Sequence, residues 1–317
     1  MPQTEQISRR LKLRQLNILL AVARCGSMAK AADELAITQP VISKAIAELE
    51  DLLGVRLLDR GRYGIEPTLH GRALLKRSVA IFDDLKTSVS ELEFLSDPTA
   101  GHLRIGCDEP LSTWLFPVLI DRLARRYPRL TYEIVIADPK TLRERDLHGR
   151  NIEVAIMRTQ DSDRESDRDE GLETTMLYRD RLWVVAGARS PWAKRRKMVL
   201  ADLINERWCL PAPDHPVGAL VVEAFRQSGH ELPKRIITVG SAQFTSNLLA
   251  KGRFLGVHGT TFLRFLPPSV RLKILPVDLP VSETAISLVA LKDRTLSPAA
   301  QLFVDWTHQF TKSLAPK

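Results

Sequence analysis

The sequence predicts an α+β chain in three parts: an N-terminal winged helix-turn-helix, a long linker helix, and a C-terminal two-lobed α/β domain. Three observations carry this. Residues 12–54 hold three short apolar-striped segments separated by Gly and Pro signals, an apolar heptad seam follows, and from residue 101 strand-like and helix-like runs alternate in two successive series.

At 317 residues the chain exceeds one ordinary core. Hydrophobic residues at 44% and charged residues at 26% exclude a disordered chain. No apolar run approaches the roughly 20 residues of a membrane span. The polar start MPQTEQISRRLKLRQ lacks a secretory apolar core, so a cytoplasmic location is expected. Cys25, Cys107 and Cys209 are isolated, without the spacing that holds zinc or a redox pair. They are expected to be reduced core thiols, with no metal and no cofactor. The net charge of +8 permits an anionic partner. Residues 1–96 carry only 14 Lys and Arg against 12 Asp and Glu, but within 56–77 six basic residues face only Asp59 and Glu66. That local patch suits phosphate contact.

Residues 12–24 place Leu13, Leu16, Leu19, Leu20 and Ala23 on one helical face, and Gly26 ends the helix. Ser27 is positioned to cap a second helix, 28–36, whose Ala31 and Ala32 allow a close helix crossing. Thr38 is positioned to cap a third, with Pro40 in its first turn and Gly54 at its end. Ile42, Ala45, Ile46, Leu49 and Leu53 form its buried stripe. Thr38, Gln39, Ser43, Lys44 and Ala47 lie on the other side, where a recognition helix meets base edges. Gln39 has the amide geometry for an adenine edge, and Ser43 and Lys44 reach bases or phosphates. The same pattern also suits an ordinary solvated helix face. Residues 55–68 read as strand, turn and strand, a wing carrying Arg56, Arg60 and Arg62 toward phosphate or a minor groove.

From Gly26 to Gly71 the residues Gly26-Ser27, Ala31-Ala32, Gln39-Pro40, Ser43, Leu49-Glu50, Leu53-Gly54, Leu57-Leu58-Asp59-Arg60 and Thr68-Leu69-His70-Gly71 stand in fixed register. This run closely resembles the N-terminal domain of LysR-type transcriptional regulators, departing from the family pattern at Leu58, where Phe is usual, and at Lys44, where Arg or Gln is common. The resemblance implies a sequence-specific regulator that binds a double-stranded DNA operator and answers to a small-molecule effector, with RNA polymerase as a further partner. Pro40 belongs with the DNA-contacting set on the same grounds.

A long helix runs from Thr68 to about Leu95. Leu75, Phe82 and Val89 recur every seven residues with Leu85 and Leu92 between them, a seam interrupted by Ser78. Such a seam between domains is explained by pairing with a second chain, and the resemblance implies the same: dimerisation through the linker helix, with tetramers through further contacts. A twofold dimer predicts an inverted-repeat operator. The expected domains are 1–67, 68–96 and 97–317.

The strand-like runs are 102–107, 130–137 and 152–157, then 182–187, 207–211, 235–240 and 254–259. Helix-like runs are 112–126, 139–148, 217–228, 241–252 and 297–313. These imply a largely parallel sheet in two lobes with a ligand cleft at the strand carboxyl ends. The resemblance implies a periplasmic-binding-protein-like effector domain with crossovers near 180 and 285, so that lobe 1 is about 101–180 with 285–317 and lobe 2 about 181–284. Residues 159–171 read as a solvated charged loop.

The resemblance places the effector at the end of the first strand and the start of the first helix, Asp108, Glu109, Ser112 and Thr113. Ser112 and Thr113 are expected as caps at a helix start with free N–H groups. Arg158, Thr159, Asp214, His215, Ser241 and His258 are the further cleft candidates. Three acids, Asp108, Glu109 and Asp214, would repel an anion, which points to a neutral polyhydroxy effector such as a sugar. The alternative is that Asp108 and Glu109 cap helices or point outward. No Gly-rich phosphate loop, GxSxG or HExxH occurs, and the seven histidines are scattered, so an enzyme is not expected. Two other classes remain for the chain: a nucleoid-type winged-helix protein without ligand control, and a sugar- or acid-binding protein.

Overall fold

The computed structural model describes residues 7, 9–61, 64–160, 163, 167 and 170–312. Arg62 and most of the charged loop 159–171 lie outside the described residues, as does the side chain of Arg60. The chain divides into two compact units, 1–86 and 87–317.

The first unit packs α1 (Leu13–Cys25), α2 (Met28–Glu34) and α3 (Gln39–Leu53) around Ile18, Leu19, Val22, Ala31, Ile42, Ile46 and Leu49. Gly26 and Gly54 both sit in the left-handed region, at φ 63° and 69°, and end α1 and α3 as helix C-caps. The α1 face differs from expectation. Gln15, Leu16, Ile18, Leu19, Ala21 and Val22 are buried, whereas Leu13 is 45% exposed. The helix is enclosed by α2, α3 and the wing, so its covered side is broader than one stripe and is rotated away from Leu13. Ser27 and Thr38 hold the N-cap positions with extended backbones, but neither side chain makes the capping bond.

The wing is the antiparallel pair β1 (Leu58–Gly61) and β2 (Gly64–Pro67). Its base is tied down by Glu50, whose Oε1 accepts from the N–H of Leu57 (2.7 Å) and of Leu58 (3.2 Å). Thr68 Oγ1 donates to the Arg56 carbonyl (2.8 Å) and accepts from Gly71 N–H (3.0 Å), opening α4 (Leu69–Ser96). A Cβ on Gly71 would lie 2.0 Å from the Leu57 carbonyl oxygen, which accounts for the Thr-x-x-Gly spacing.

In the second unit the sheet order is β4-β3-β5-β11-β6-β9-β7-β8, with β10 on β6. The strands are β3 (Ala100–Cys107), β4 (Arg129–Ile136), β5 (Val154–Thr159), β6 (Leu172–Gly187), β7 (Arg207–Leu210), β8 (Arg235–Thr238), β9 (Leu255–Gly259), β10 (Leu272–Ile274) and β11 (Glu283–Leu291). The sheet is mixed rather than largely parallel. β3 with β4 and β5, and β7 with β8 and β9, are parallel, while β6 and β11 run antiparallel to each other and to β9 and β5. These two crossing strands carry the chain between lobes; of their residues the pattern marked only 182–187 as strand-like.

One core gathers Leu103, Ile105, Phe116, Leu119, Ile286 and Phe303, the other Leu182, Val184, Trp208, Phe225 and Val257. Helices α5 (Glu109–Arg126) and α10 (Pro298–Lys312) cover the first; α7 (Pro216–Gln227) packs in the second, where β9 leads into the short α9 (Thr260–Arg264). The expected helix at 139–148 is a short α-turn, α6 (Pro139–Thr141), continued by π-type turns over Leu142–Leu147. Cys107 and Cys209 are buried, but Cys25 is only half-buried and its thiol donates to Glu34 (3.3 Å). Among the described residues no helix is long and apolar enough to cross a membrane, and no cluster of three or more potential metal ligands occurs.

Candidate functional site

The first unit leaves one face of α3 and its N-terminal turn open. Thr38, Gln39, Pro40, Ser43, Lys44 and Ala47 are all exposed on α3, opposite the buried Ile42, Ile46 and Leu49. A groove between the α1–α2 turn, α3 and the wing is lined by Ser27, Lys30, Gln39, Glu50, Arg56 and Asp59. The fold therefore brings Ser27, Gln39 and Arg56 to one concave wall. Lys44 lies 3.9 Å from Glu48, a loose exposed pair that leaves its ammonium open to another anion.

Along α4, Leu75 packs against the first unit's core rather than standing free in a seam. Ser78 is buried and its hydroxyl donates to Leu74 O (2.8 Å). Phe82 is half-buried. From Ile81 onward, Ile81, Leu85, Val89, Leu92 and Leu95 are exposed at spacings of three and four. Ile81 and Leu95 escaped the heptad reading because it was anchored on Leu75.

Between the lobes lies a cavity with about 490 Å³ of empty space, part of it open to solvent. Its polar lining includes Arg158, His215, Ser241, Thr245 and His258, set among Pro110, Leu182, Val217, Val257 and Phe262. Arg158 is 2% exposed; its Nη1 donates to Asp180 Oδ2 (3.1 Å) and Thr284 Oγ1 (2.7 Å), while its Nε is buried with no hydrogen-bond partner. Burial, then the Arg158 charge, lowers the His258 pKa to about 3, so its imidazole is neutral. It stacks on Phe262 at 4.2 Å, with Ser246 Oγ 3.3 Å from Nε2. His215 caps α7, its Nδ1 accepting from Val217 N–H (3.2 Å), and its pKa is lowered by burial and then by Arg158. A larger, open mouth beside this cavity is lined by Asp138, Lys140, Arg143, Glu144, Gln160, Asp163, Asp167, Glu170, Asp214 and His215.

The other candidates stand elsewhere. Asp108, not Ser112 or Thr113, is the N-cap of α5. Its carboxylate accepts from Leu111 N–H (3.4 Å) and from Arg158 N–H (3.1 Å), behind the cavity wall. Burial pushes its pKa up to about 6, against the pull of Arg158. Ser112 and Thr113 sit inside the first turns of α5, where both hydroxyls donate to Glu109 O. Thr159 is fully buried, hydrogen-bonded with Ser287 (2.7 Å), because successive strand residues point to opposite faces and Arg158 takes the cleft side. Glu109 reaches across the cleft: its carboxylate accepts from Ser241 Oγ (2.9 Å) and Ala242 N–H (2.8 Å) at the start of α8 (Ala242–Leu249). Asp180, Thr245 and Phe262 were not foreseen, since no spacing in the sequence links them to Arg158 or His258.

Comparison with known proteins agrees with this geometry. Residues 96–312 match the family model described as LysR substrate binding domain, and residues 13–72 that described as bacterial regulatory helix-turn-helix protein, lysR family. The chain is 27% identical to the HTH-type transcriptional regulator YybE of Bacillus subtilis over 289 residues, 91% of this chain and 95% of that one. Its fold is similar to full-length OxyR of Pseudomonas aeruginosa, with TM-score 0.66 at 18% identity, covering 96% of this chain and 95% of that one. It is likewise similar to CbnR complexed with its target DNA, with TM-score 0.62 at 24% identity, covering 94% and 99%. The chain belongs to the LysR family of bacterial DNA-binding transcriptional regulators, with an N-terminal helix-turn-helix and a C-terminal ligand-binding domain.

Proposed function

We propose that the protein binds an inverted-repeat operator as a homo-oligomer paired through α4, and that a small molecule in the interlobe cleft changes its state on DNA. The observation that carries the reading is the pairing of an exposed α3 face with a built, partly enclosed cleft in one chain. Ser27, Thr38, Gln39, Pro40, Ser43, Lys44 and Arg56 make up the DNA-contacting set, and Arg60 and Arg62 extend it along the wing. CbnR, whose fold this chain shares, is known bound to its target DNA. Productive contact with RNA polymerase belongs to the same proposal.

The effector is a neutral polyhydroxy compound, such as a sugar, seated in the open mouth at Asp214 and His215. The support has shifted from that of the sequence: Asp108 and Glu109 are engaged within the chain, as are Asp138, Asp163 and Asp167 around the mouth, which leaves the exposed Asp214 carboxylate to receive hydroxyls. A second reading is favoured by the unpartnered Arg158 Nε: a compact molecule with an apolar body and one acceptor oxygen, held in the inner cavity. Titration calorimetry against sugars and organic acids separates them. Tight binding of an aliphatic dicarboxylate alone sinks the polyol reading.

The whole function is tested by capture of genomic fragments in about 0.15 M salt, with and without a metabolite panel, since salt at that level suppresses nonspecific attraction. A shared inverted repeat whose protected length changes with one metabolite is expected. Recovery of DNA without a common site means coverage without ligand control and overturns the proposal.

A further inference from the structure

Residues 181–284 hold 15 Lys and Arg against 7 Asp and Glu, a net of +8 that equals the net charge of the whole chain. The remaining residues are neutral in sum, the net of +4 on residues 1–86 being offset by acids elsewhere. The largest block of excess positive charge therefore belongs to the second lobe.

Much of the excess lies on one connected surface. The exposed run Lys194-Arg195-Arg196-Lys197 starts on the last residue of a short helix capped by Ser190, and Arg195 sits 4.7 Å above the Trp192 ring. Arg196 and Lys197 share a groove with Pro276, just beyond β10. β10 pairs with the end of β6, placing exposed Lys273 opposite Ala186, and Ala188 N–H donates to Arg271 O (3.0 Å). Gly252, between exposed Lys251 and Arg253, lies against the backbone of Arg189 and Ser190, closing the circuit. Among the described residues none of these nine cations makes an ion pair with an acid. Asp202 borders the groove, but its carboxylate accepts from Val199 N–H (3.0 Å).

We propose that this basic face of the second lobe is an auxiliary, sequence-independent site for the phosphate backbone of double-stranded DNA. Protein–protein interfaces are depleted in lysine, whereas DNA interfaces are strongly positive, and four of the nine cations are lysines. Unpaired cations release condensed counterions on meeting phosphate, which converts exposed charge into affinity.

The test uses the full chain and a mixed-sequence duplex of about 40 base pairs, with binding followed by anisotropy from about 0.05 to 0.2 M salt. The triple variant Arg195→Gln, Arg196→Gln, Lys197→Gln is compared with Arg125→Gln, Arg126→Gln, Arg129→Gln, which removes the same charge from the first lobe. If each neutralised cation meets a phosphate, the slope of log K against log salt becomes shallower by about 2.7 for the first variant, and by under about 1 for the control. If the first variant loses its folded circular-dichroism spectrum, Arg253→Gln with Lys273→Gln takes its place, with an expected change of about 1.8. Equal slopes in wild type and both variants, or equal loss in both, overturn the proposal and leave the surface to an acidic protein. Failure of the wild type to bind any DNA overturns the regulator reading itself, an outcome separate from these.

Discussion

The Glu109 carboxylate and the Ser241 hydroxyl meet at 2.9 Å across the interlobe cleft, and the same carboxylate takes the Ala242 N–H at 2.8 Å. An acid from the first lobe thus occupies the N-terminus of α8 in the second, where free N–H groups and the helix dipole favour negative charge. Glu109→Ala removes this latch while leaving Ser241 to cap Phe244 N–H. Amide exchange at Ala242 is expected to rise at least about tenfold, equivalent to about 1.4 kcal/mol, a typical size for a charge-assisted hydrogen bond. Glu109→Gln, which keeps one acceptor, should fall between. Unchanged protection at Ala242 in both variants would show that the latch holds nothing closed.

His258 and Asp108 flank Arg158 and bias stability with pH in opposite directions. His258 titrates near 6.5 when unfolded and at about 3 when folded, so its contribution is complete above pH 6.5 and is lost as pH falls toward 3. Asp108, raised from 3.8 to about 6, contributes fully below 3.8 and loses that contribution as pH rises through 6. The two slopes oppose each other from about 4 to 6, and His258 acts alone just above. In His258→Gln the stability measured by urea unfolding should therefore fall less on acidification from pH 6.5 to 4 than in wild type. The difference approaches at most about 1.4 kcal/mol per pH unit. Identical pH profiles would mean that His258 is not held neutral.

Gln39 and Ser43 stand exposed on the α3 face proposed to meet base edges. Gln39→Ala or Ser43→Ala should weaken binding to the recovered operator by about 1–3 kcal/mol and leave mixed-sequence DNA nearly unaffected. Equal losses on both DNAs would reduce these side chains to phosphate contacts.

The first unit was legible because its punctuation is local. Gly26, Pro40, Gly54 and Thr68-x-x-Gly71 each act within a few residues of themselves, and the α3 stripe follows from period alone. The cleft was legible only in outline. Glu109 and Ser241 are 132 residues apart, and Arg158, Asp180 and Thr284 meet only because β6 and β11 run side by side. Thr159 was misplaced for a simpler reason: a one-residue step along β5 moves a side chain to the opposite face. Of the two readings open for Asp108, ligand group or helix cap, its place just ahead of Glu109-Pro110 suits the cap that it forms.

Leu85 and Leu92 leave 46% and 67% of their surfaces exposed on α4, in line with Ile81, Val89 and Leu95. If this stripe is the self-association face, Leu85→Glu with Leu92→Glu places four charges in one seam of a dimer and dissociates it. Sedimentation velocity should then show monomer at concentrations where wild type is associated. An unchanged sedimentation coefficient would move the interface elsewhere.

Gly71→Ala tests how the wing is anchored to α4. Alanine gains about 1 kcal/mol of helix propensity over glycine. Here, however, its Cβ would meet the Leu57 carbonyl oxygen at 2.0 Å, and that atom is backbone, tied into the wing by Thr68 N–H (2.9 Å). Overpacking against a fixed neighbour costs about 1–3 kcal/mol, so the clash outweighs the propensity and the net effect is loss of stability. A lowered melting temperature with weakened DNA binding is the expected result. A Gly71→Ala protein as stable as wild type, or more so, would mean that the Leu57 backbone yields readily and that the Thr-x-x-Gly spacing does not hold the wing.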